Sequence, residues 1–249
     1  MKPQIALQLY SVRDIINPSN DYATVVRKVA AMGYHGVETA GFPGTTPQAA
    51  GRLFKELGLA VCSAHVTSPV GDKKNEVLDT LAALDCKTLI NTQIGPDDVK
   101  SLDLIKKTCD RLNEGYVNAK AAGLNYGIHN HWWEYGKLSD QYIYRLMRAQ
   151  LDPGILFQLD TYWIKTARVD PAAVVTEMGA RAPYLHIKDG PAVKNEPMVA
   201  VGDGVMDFPA ILKAGGAYLQ WLIVELDSCA TPILPVVEKS FQYLKSIVK

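Results

Sequence analysis

Residues 120–135 read KAAGLNYGIHNHWWEY, and this stretch decides the fold. Its first residues are typical of a helix end, and Gly123 can take the left-handed conformation that closes a helix. The apolar run that follows predicts a buried strand over 124–130. Because side chains alternate along a strand, His129 and His131 point to the same face. The stretch therefore predicts a helix, a glycine cap and a strand that ends in polar residues.

The same unit occurs three times in the chain. AAMGYHGVE ends at Glu38, KELGLAVCSAH ends at His65, and KAAGLNYGIHNH ends at His131. Alternating helices and strands predict a parallel sheet. Continuous apolar runs such as WLIVEL are typical of strands that are covered on both faces. Strands are predicted near residues 5–9, 36–40, 59–65, 88–92, 124–130, 155–160, 184–187 and 221–226.

Each of the eight predicted strands is followed by a predicted helix, the longest over 97–122, and no linker interrupts the series. This pattern predicts a closed (β/α)8 TIM barrel, with residues 1–249 as one domain. About 250 residues is also the usual length of this barrel. The main alternative is a doubly wound open sheet, but no G-x-G-x-x-G follows the first strand.

Composition argues against several classes of function. The chain has 26 basic and 26 acidic residues, so it lacks the basic surplus that a nucleic-acid binder uses to contact phosphates. No run approaches 18 apolar residues, and no secretory leader is recognisable, so no membrane partner is predicted. The four cysteines are scattered, which predicts free thiols and a cytoplasmic protein.

Carboxylates at the ends of apolar strands indicate a metal site. Asp160 follows LFQL and Glu225 follows WLIV, positions where a carboxylate is costly without a partner. A metal ion explains both, although ion pairs with Lys188 or Arg168 are the alternative. The predicted ligands are Glu134, Asp160, His186 and Glu225. His129 or His131 could replace Glu134, because spacing alone does not rank them. The oxygen-rich set suits Mn²⁺, Mg²⁺ or Co²⁺, with Zn²⁺ less specific.

Eight short motifs occur in order along the whole chain: LQLYSVRD, GVETAG, SAH, HNHWWEY, LDTYW, HIKD, VGDGVMDFPAIL and VELD. In these motifs the chain resembles the sugar phosphate isomerase/epimerase family of the xylose isomerase-like barrel superfamily. The resemblance implies a (β/α)8 barrel with a divalent metal held by Glu, Asp, His and Glu on strands five to eight. It suggests Asp160, His186 and Glu225 as ligands. Glu134 lies beyond the strand that carries the first Glu in some relatives.

The resemblance also implies a small-molecule substrate, a sugar or a polyol. Barrels of this type often associate, so a homo-oligomer is among the expected states. The side chains expected to contact the substrate are Glu38, His65, His129, Trp132, Trp163 and Lys188.

The leading hypothesis is a metal-dependent isomerase or epimerase that moves a proton next to a carbonyl through a metal-stabilised enediolate. Glu134, Glu225 or His131 would take and return the proton. A dehydratase or lyase acting on an oxidised sugar or inositol is the close alternative, since the same intermediate can lose a leaving group. The remaining hypotheses are an endonuclease acting on damaged DNA and a non-catalytic sugar-binding barrel.

Overall fold

A computed structural model describes residues 2–248, and eight of its strands form a closed parallel barrel. Every barrel strand begins and ends within two residues of the bounds predicted from the sequence. The strands are β1 (Gln4–Gln8), β2 (Gly36–Thr39), β3 (Ala60–His65), β4 (Thr88–Asn91), β5 (Asn125–His129), β6 (Leu156–Asp160), β7 (Tyr184–Ile187) and β8 (Trp221–Val224).

Helices surround this barrel. Within residues 2–248 they are α1 (Tyr22–Ala31), α2 (Pro47–Glu56), α3 (Lys74–Ala83), α4 (Leu102–Ala121), α5 (Ile143–Gln150), α6 (Thr161–Thr166), α7 (Pro171–Met178), α8 (Phe208–Gly215) and α9 (Ile233–Ile247). The short helix α6, directly after β6, was not predicted. The helix predicted over 97–122 begins later, because Ser101 Oγ caps it by accepting from Leu104 N at 3.3 Å. None of the described helices is long and apolar enough to cross a membrane.

All eight strands pair in parallel with their neighbours in the chain, and β1 closes the barrel against β8, with Gln4 opposite Trp221. This closure rules out the open doubly wound sheet. The carboxyl ends of all strands therefore meet at one rim, where Asp160 lies opposite His186. The three glycines of the repeated unit, Gly33, Gly58 and Gly123, have φ of 98°, 70° and 72°, as predicted.

The interior of the barrel is apolar at the amino end and polar at the carboxyl end. Ala6, Cys62, Tyr184 and Ile223 form a buried cluster between the strands, separate from the larger core that packs the helices onto the sheet. Strand ends above this cluster carry buried polar and charged side chains. The apolar layer supports the fold, and the polar layer supports the site.

A buried carboxylate holds the long loop that follows β7. Asp189 Oδ1 accepts from the backbone N–H groups of Gly190 at 2.9 Å and Met206 at 3.2 Å. Its Oδ2 accepts from Gly202 at 2.9 Å and Gly204 at 3.0 Å. A Cβ at Gly204 would lie 2.1 Å from Asp189 Oδ1, so only glycine allows this approach. The turn at these glycines thus wraps around a side chain.

We expect the substitution Asp189→Asn to lower the free energy of unfolding by about 1–3 kcal/mol, because an amide nitrogen would face backbone donors in a buried place. Urea unfolding followed by circular dichroism measures this change. The control is Asp203→Asn in the same loop, where an exposed carboxylate pairs with Lys239 and the expected change is within about 0.5 kcal/mol. Equal effects of the two substitutions would contradict the anchoring role of Asp189.

Candidate active site at the barrel rim

A cavity of about 440 Å³, which we call the rim cavity, opens at the carboxyl end of the barrel. Small-molecule sites usually have volumes of about 300–1,000 Å³. Its wall is formed by Tyr10, Ala40, His65, Thr92, His129, His131, Trp163, Lys188, Glu225 and Asp227. A second cavity, of about 490 Å³, lies at the opposite end of the barrel, and of the described residues on its wall Lys2 alone is ionisable. The wall of the rim cavity, by contrast, carries three imidazoles and two carboxylates.

Four side chains from consecutive strands converge beside the rim cavity. They are His129 at the end of β5, Asp160 at the end of β6, His186 on β7 and Glu225 directly after β8. All four are buried, and one ligand atom from each lies within 4.8 Å of the others. Two imidazoles and two carboxylates at this spacing could hold a metal ion.

The local backbone aims one oxygen of Asp160 into this group. Oδ1 caps α6 by accepting from Trp163 N at 2.9 Å. The side chain of Asn130 accepts from the backbone N–H of Asp160 and donates to its carbonyl oxygen. The other oxygen, Oδ2, is buried and has no hydrogen bond. It lies 3.0 Å from Lys188 Nζ and 3.7 Å from His129 Nε2. A buried oxygen without a hydrogen bond among other ligand atoms fits a cation site.

His129 is suited to bind a metal through Nε2. Its Nδ1 lies 3.0 Å from Gln158 Oε1, which can only accept, so Nδ1 carries the proton and Nε2 keeps its lone pair. Burial and the neighbouring His186 hold the pKa of His129 well below its ordinary value. The neutral imidazole that results is the form that coordinates metals.

His186 lies between two carboxylates. Its Nε2 is 2.6 Å from Glu38 Oε2, and its Nδ1 is 2.7 Å from Glu225 Oε2. Burial alone would lower the pKa of His186, but Glu38 and Glu225 outweigh burial and raise it to about 10. Both ring nitrogens of His186 therefore carry protons at neutral pH, and a metal at Nδ1 would displace that proton while the Nε2–H stays directed to Glu38.

Glu38 is fully buried at the end of β2 and supports the site from beneath. The side chains of Gln8, Ser63 and Gln158 donate to its oxygens, and His65 Nε2 lies 3.0 Å from Oε2. Burial raises the pKa of Glu38, but His65 and the other neighbouring imidazole hold it well below the ordinary value. The sequence predicted that Glu38 contacts the substrate. In the structure its hydrogen bonds go to protein side chains, and it is not on the wall of the rim cavity.

Lys188 brings a permanent positive charge to the site. Its Nζ lies 3.0 Å from Asp160 Oδ2, 2.7 Å from Glu225 Oε2 and 2.6 Å from Asp227 Oδ2. Burial lowers the pKa of Lys188, but the three carboxylates raise it well above the ordinary value. The ion pair with Lys188 that was the alternative to a metal is thus present, but one ammonium shares three carboxylates. The three carboxylates therefore carry more negative charge than Lys188 alone can balance.

Glu134, predicted as a metal ligand, is not among the four converging residues. The strand ends at His129 and the chain turns, so Glu134 points back and its Oε2 accepts from His131 N at 2.9 Å. Its Oε1 lies 3.5 Å from His131 Nδ1, and both atoms are buried and make no hydrogen bond. His129 occupies the fifth-strand position in the cluster, an alternative that the sequence left open. His131 lies on the wall of the rim cavity, with Glu134 behind it.

Aromatic rings extend the site outward. Trp163 lines the rim cavity, and Trp132 packs against it with ring centroids 4.9 Å apart. Trp132 is not on the cavity wall, and Lys194 Nζ lies over its ring at 4.6 Å. Gln158, which positions two side chains here, was missed by sequence reasoning. Its position two residues before Asp160, on the same face of the strand, was the available signal.

Proteins of known structure share this fold. A family profile described as xylose isomerase-like TIM barrel matches residues 26–247, most of the chain. The chain belongs to the xylose isomerase-like TIM barrel family. This xylose isomerase-like barrel is similar to a solved sugar phosphate isomerase/epimerase from Parabacteroides distasonis ATCC 8503, with 26% identity, a TM-score of 0.84 and 100% of both chains covered.

Two more distant structures share the fold of this xylose isomerase-like barrel. An L-ribulose 3-epimerase is 16% identical, with a TM-score of 0.74 and coverage of 99% of this chain and 94% of the other. The probable 3-DHS dehydratase AsbF from Bacillus anthracis is 13% identical, with a TM-score of 0.77 and coverage of 98% and 99%. No curated protein sequence matches the chain significantly.

The opposed pKa shifts of His186 and Glu38 should make the stability of the metal-free protein depend on pH. The pKa of His186 rises from 6.5 to about 10, so its contribution is complete below 6.5 and is lost as pH rises through about 10. The lowered pKa of Glu38 means that its contribution is present above 4.5 and is lost at lower pH. With a chelator present, we expect the free energy of unfolding in urea to decline from about pH 7 to about pH 10.

The variant Glu38→Gln provides the control for this decline. It removes one of the two carboxylates that raise the pKa of His186, so the dependence on pH should become shallower and the maximum stability lower. An unchanged slope in Glu38→Gln would show that another group causes the decline.

Proposed function

We propose that this chain is a divalent-metal-dependent isomerase or epimerase that moves a proton next to the carbonyl of a sugar or of a ketone derived from a polyol. The observation that carries this proposal is the convergence of His129, Asp160, His186 and Glu225 within 4.8 Å at a cavity that also exposes His131. Family membership and the 26% identical isomerase/epimerase structure support the reaction class.

His129 Nε2, Asp160 Oδ2, His186 Nδ1 and a Glu225 oxygen would hold the ion. Two nitrogen and two oxygen ligands suit Mn²⁺, Co²⁺ or Zn²⁺ better than Mg²⁺, which prefers an all-oxygen shell. When bound, a divalent ion would act as a Lewis acid for the neighbouring carbonyl and hydroxyl oxygens of the substrate. Glu38 would keep the His186 ring in place through the Nε2 hydrogen bond of 2.6 Å.

His131 is our candidate for the group that takes the proton from carbon. Its ring is fixed by stacking on Trp133 at 4.1 Å and by the carboxylate of Glu134 beside Nδ1. With the Nδ1 proton directed to Glu134, the lone pair on Nε2 is the basic group available to the cavity. We assign Glu134 to orienting His131, in place of the ligand role that the sequence predicted.

Glu225 and His65 are candidates for returning the proton. Glu225 lines the rim cavity from β8, whereas His131 follows β5, so the two approach a bound sugar from different parts of the rim. A proton returned to the opposite face of the same carbon gives an epimer, and a proton returned to the adjacent carbon gives an isomer. Lys188 and His65, also on the wall, can bind hydroxyl oxygens of the substrate.

Elimination is the second candidate reaction. It needs a base at carbon and also an acid at the leaving group, and besides the proposed ligand His129 the cavity wall carries two imidazoles, His65 and His131, from different strands. A dehydratase or lyase acting on an oxidised sugar or inositol would use both. An endonuclease acting on DNA would need a basic groove, which the zero net charge does not favour. A purely sugar-binding barrel would need no cluster of four ligands.

The substitution Asp160→Asn tests the ligand set. It keeps the shape of the side chain but replaces a charged ligand by a neutral amide, so bound metal should fall roughly tenfold or more. Metal content after dialysis is measured by mass spectrometry, and turnover is measured on a panel of ketoses and aldoses. The matched control Asp203→Asn should keep both the metal and the turnover. Full metal content and full activity of Asp160→Asn would refute the proposed site.

The substitution His131→Asn tests the proton transfer. We expect exchange of the substrate α-proton with deuterium in D₂O, followed by NMR, to slow roughly 100-fold or more because the base is lost. Glu134→Gln should slow exchange less, since the imidazole remains but loses the carboxylate that orients it.

Two controls accompany these variants. Both should retain wild-type metal content, because neither residue is a proposed ligand. Glu238→Gln on the exposed face of α9 makes the same charge change as Glu134→Gln and should leave exchange unchanged. Normal exchange in His131→Asn would transfer the role of base to another residue.

A further inference from the structure

The wall of the rim cavity has no positive charge available for an anionic substrate. Lys188 is the only Lys or Arg among the described residues of the wall, where Glu225 and Asp227 also lie. Its Nζ lies within 3.0 Å of oxygens from three carboxylates. Nζ donates a hydrogen bond to Asp227 Oδ2 and forms ion pairs with the other two carboxylates, so its charge is already balanced. A phosphate ester entering the cavity would meet a paired cation and two carboxylates.

Two cations that lie over the rings of Tyr10 and Trp132 are also engaged. Arg13 donates to the carbonyl oxygens of Tyr10 and Asp227, both at 2.8 Å, and its guanidinium lies over the Tyr10 ring. Lys194 lies over the Trp132 ring and is exposed, so water screens its charge. A divalent ion and Lys188 would together bring three positive charges. Glu38 and the three carboxylates that contact Lys188 carry four negative charges. The site gains no surplus of positive charge.

The backbone position where a barrel of this kind can bind phosphate is already filled. Barrels often bind phosphate with the loops after strands seven and eight. Here the Gly-rich loop after β7 directs four backbone N–H groups inward, from Gly190, Gly202, Gly204 and Met206. All four donate to the carboxylate of Asp189, which is completely buried. These four N–H groups are therefore not free to bind an external anion.

We propose, on the basis of the function proposed above, that the substrate is an unphosphorylated sugar or polyol derivative and that Asp227 excludes phosphate esters. Asp227 lines the rim cavity with 35% of its side chain exposed, so its carboxylate can accept a hydrogen bond from a sugar hydroxyl. A terminal phosphate carries about two negative charges near neutral pH. Repulsion by Asp227 should weaken the binding of a phosphate ester about tenfold or more.

Binding measurements on the manganese-loaded protein test this inference. The probes are three matched pairs, D-sorbitol, D-fructose and D-xylulose against their terminal phosphate esters, measured by titration calorimetry. Each free compound should bind about tenfold or more tightly than its phosphate ester. Asp227→Asn should reduce this ratio, whereas Asp227→Glu should keep it. The control Asp110→Asn, on the exposed face of α4, should also keep it.

The outcomes separate this inference from the proposed function. Equal or tighter binding of the phosphate esters, or no binding of any free compound, would overturn it. An unchanged ratio in Asp227→Asn would overturn the role of Asp227. If free sugars bind preferentially but no α-proton exchanges, the proposed reaction fails while the inferred substrate class stands.

Discussion

The site depends on one carboxylate, Glu38, which is completely buried from bulk solvent. Desolvation of an isolated carboxylate is costly, so the surrounding side chains must supply donors and positive charge. Gln8, Ser63 and Gln158 supply hydrogen bonds, while two imidazoles supply electrostatic stabilisation. Because Glu38 holds the Nε2 side of His186, the opposite nitrogen is directed to Glu225. The interior polar layer thus fixes the orientation of the groups that could bind a cation.

Electrostatic balance connects this layer to substrate choice. Three rim carboxylates contact one ammonium, that of Lys188, and this deficit of positive charge favours a metal cation. The same deficit opposes a phosphate group. The buried Asp189 acts in the same direction, since it consumes the backbone N–H groups of the loop after β7. A single charge pattern therefore accounts for both the proposed cofactor and the proposed substrate class.

The fold was largely predictable because its signals are local. Glycines such as Gly33 and Gly123 close helices at positive φ whatever the rest of the chain does, and apolar runs of strand length follow them. In a parallel barrel the carboxyl ends of the strands meet at one rim, so Asp160, His186 and Glu225 could be expected together. The missed helix α6 is six residues long and depends on its cap, the side chain of Asp160.

The sequence by itself determined the barrel, the rim and three of the four converging side chains, because strand period and strand polarity are properties of short segments. Only the tertiary structure shows that His129, and not Glu134, joins the four converging side chains. That choice depends on where β5 stops and how the chain turns after it, and the turn folds Glu134 back onto the His131 backbone. The partnership of Glu38 with Gln158 joins residues 120 positions apart. Such contacts follow from the closure and register of the barrel, which no local pattern contains.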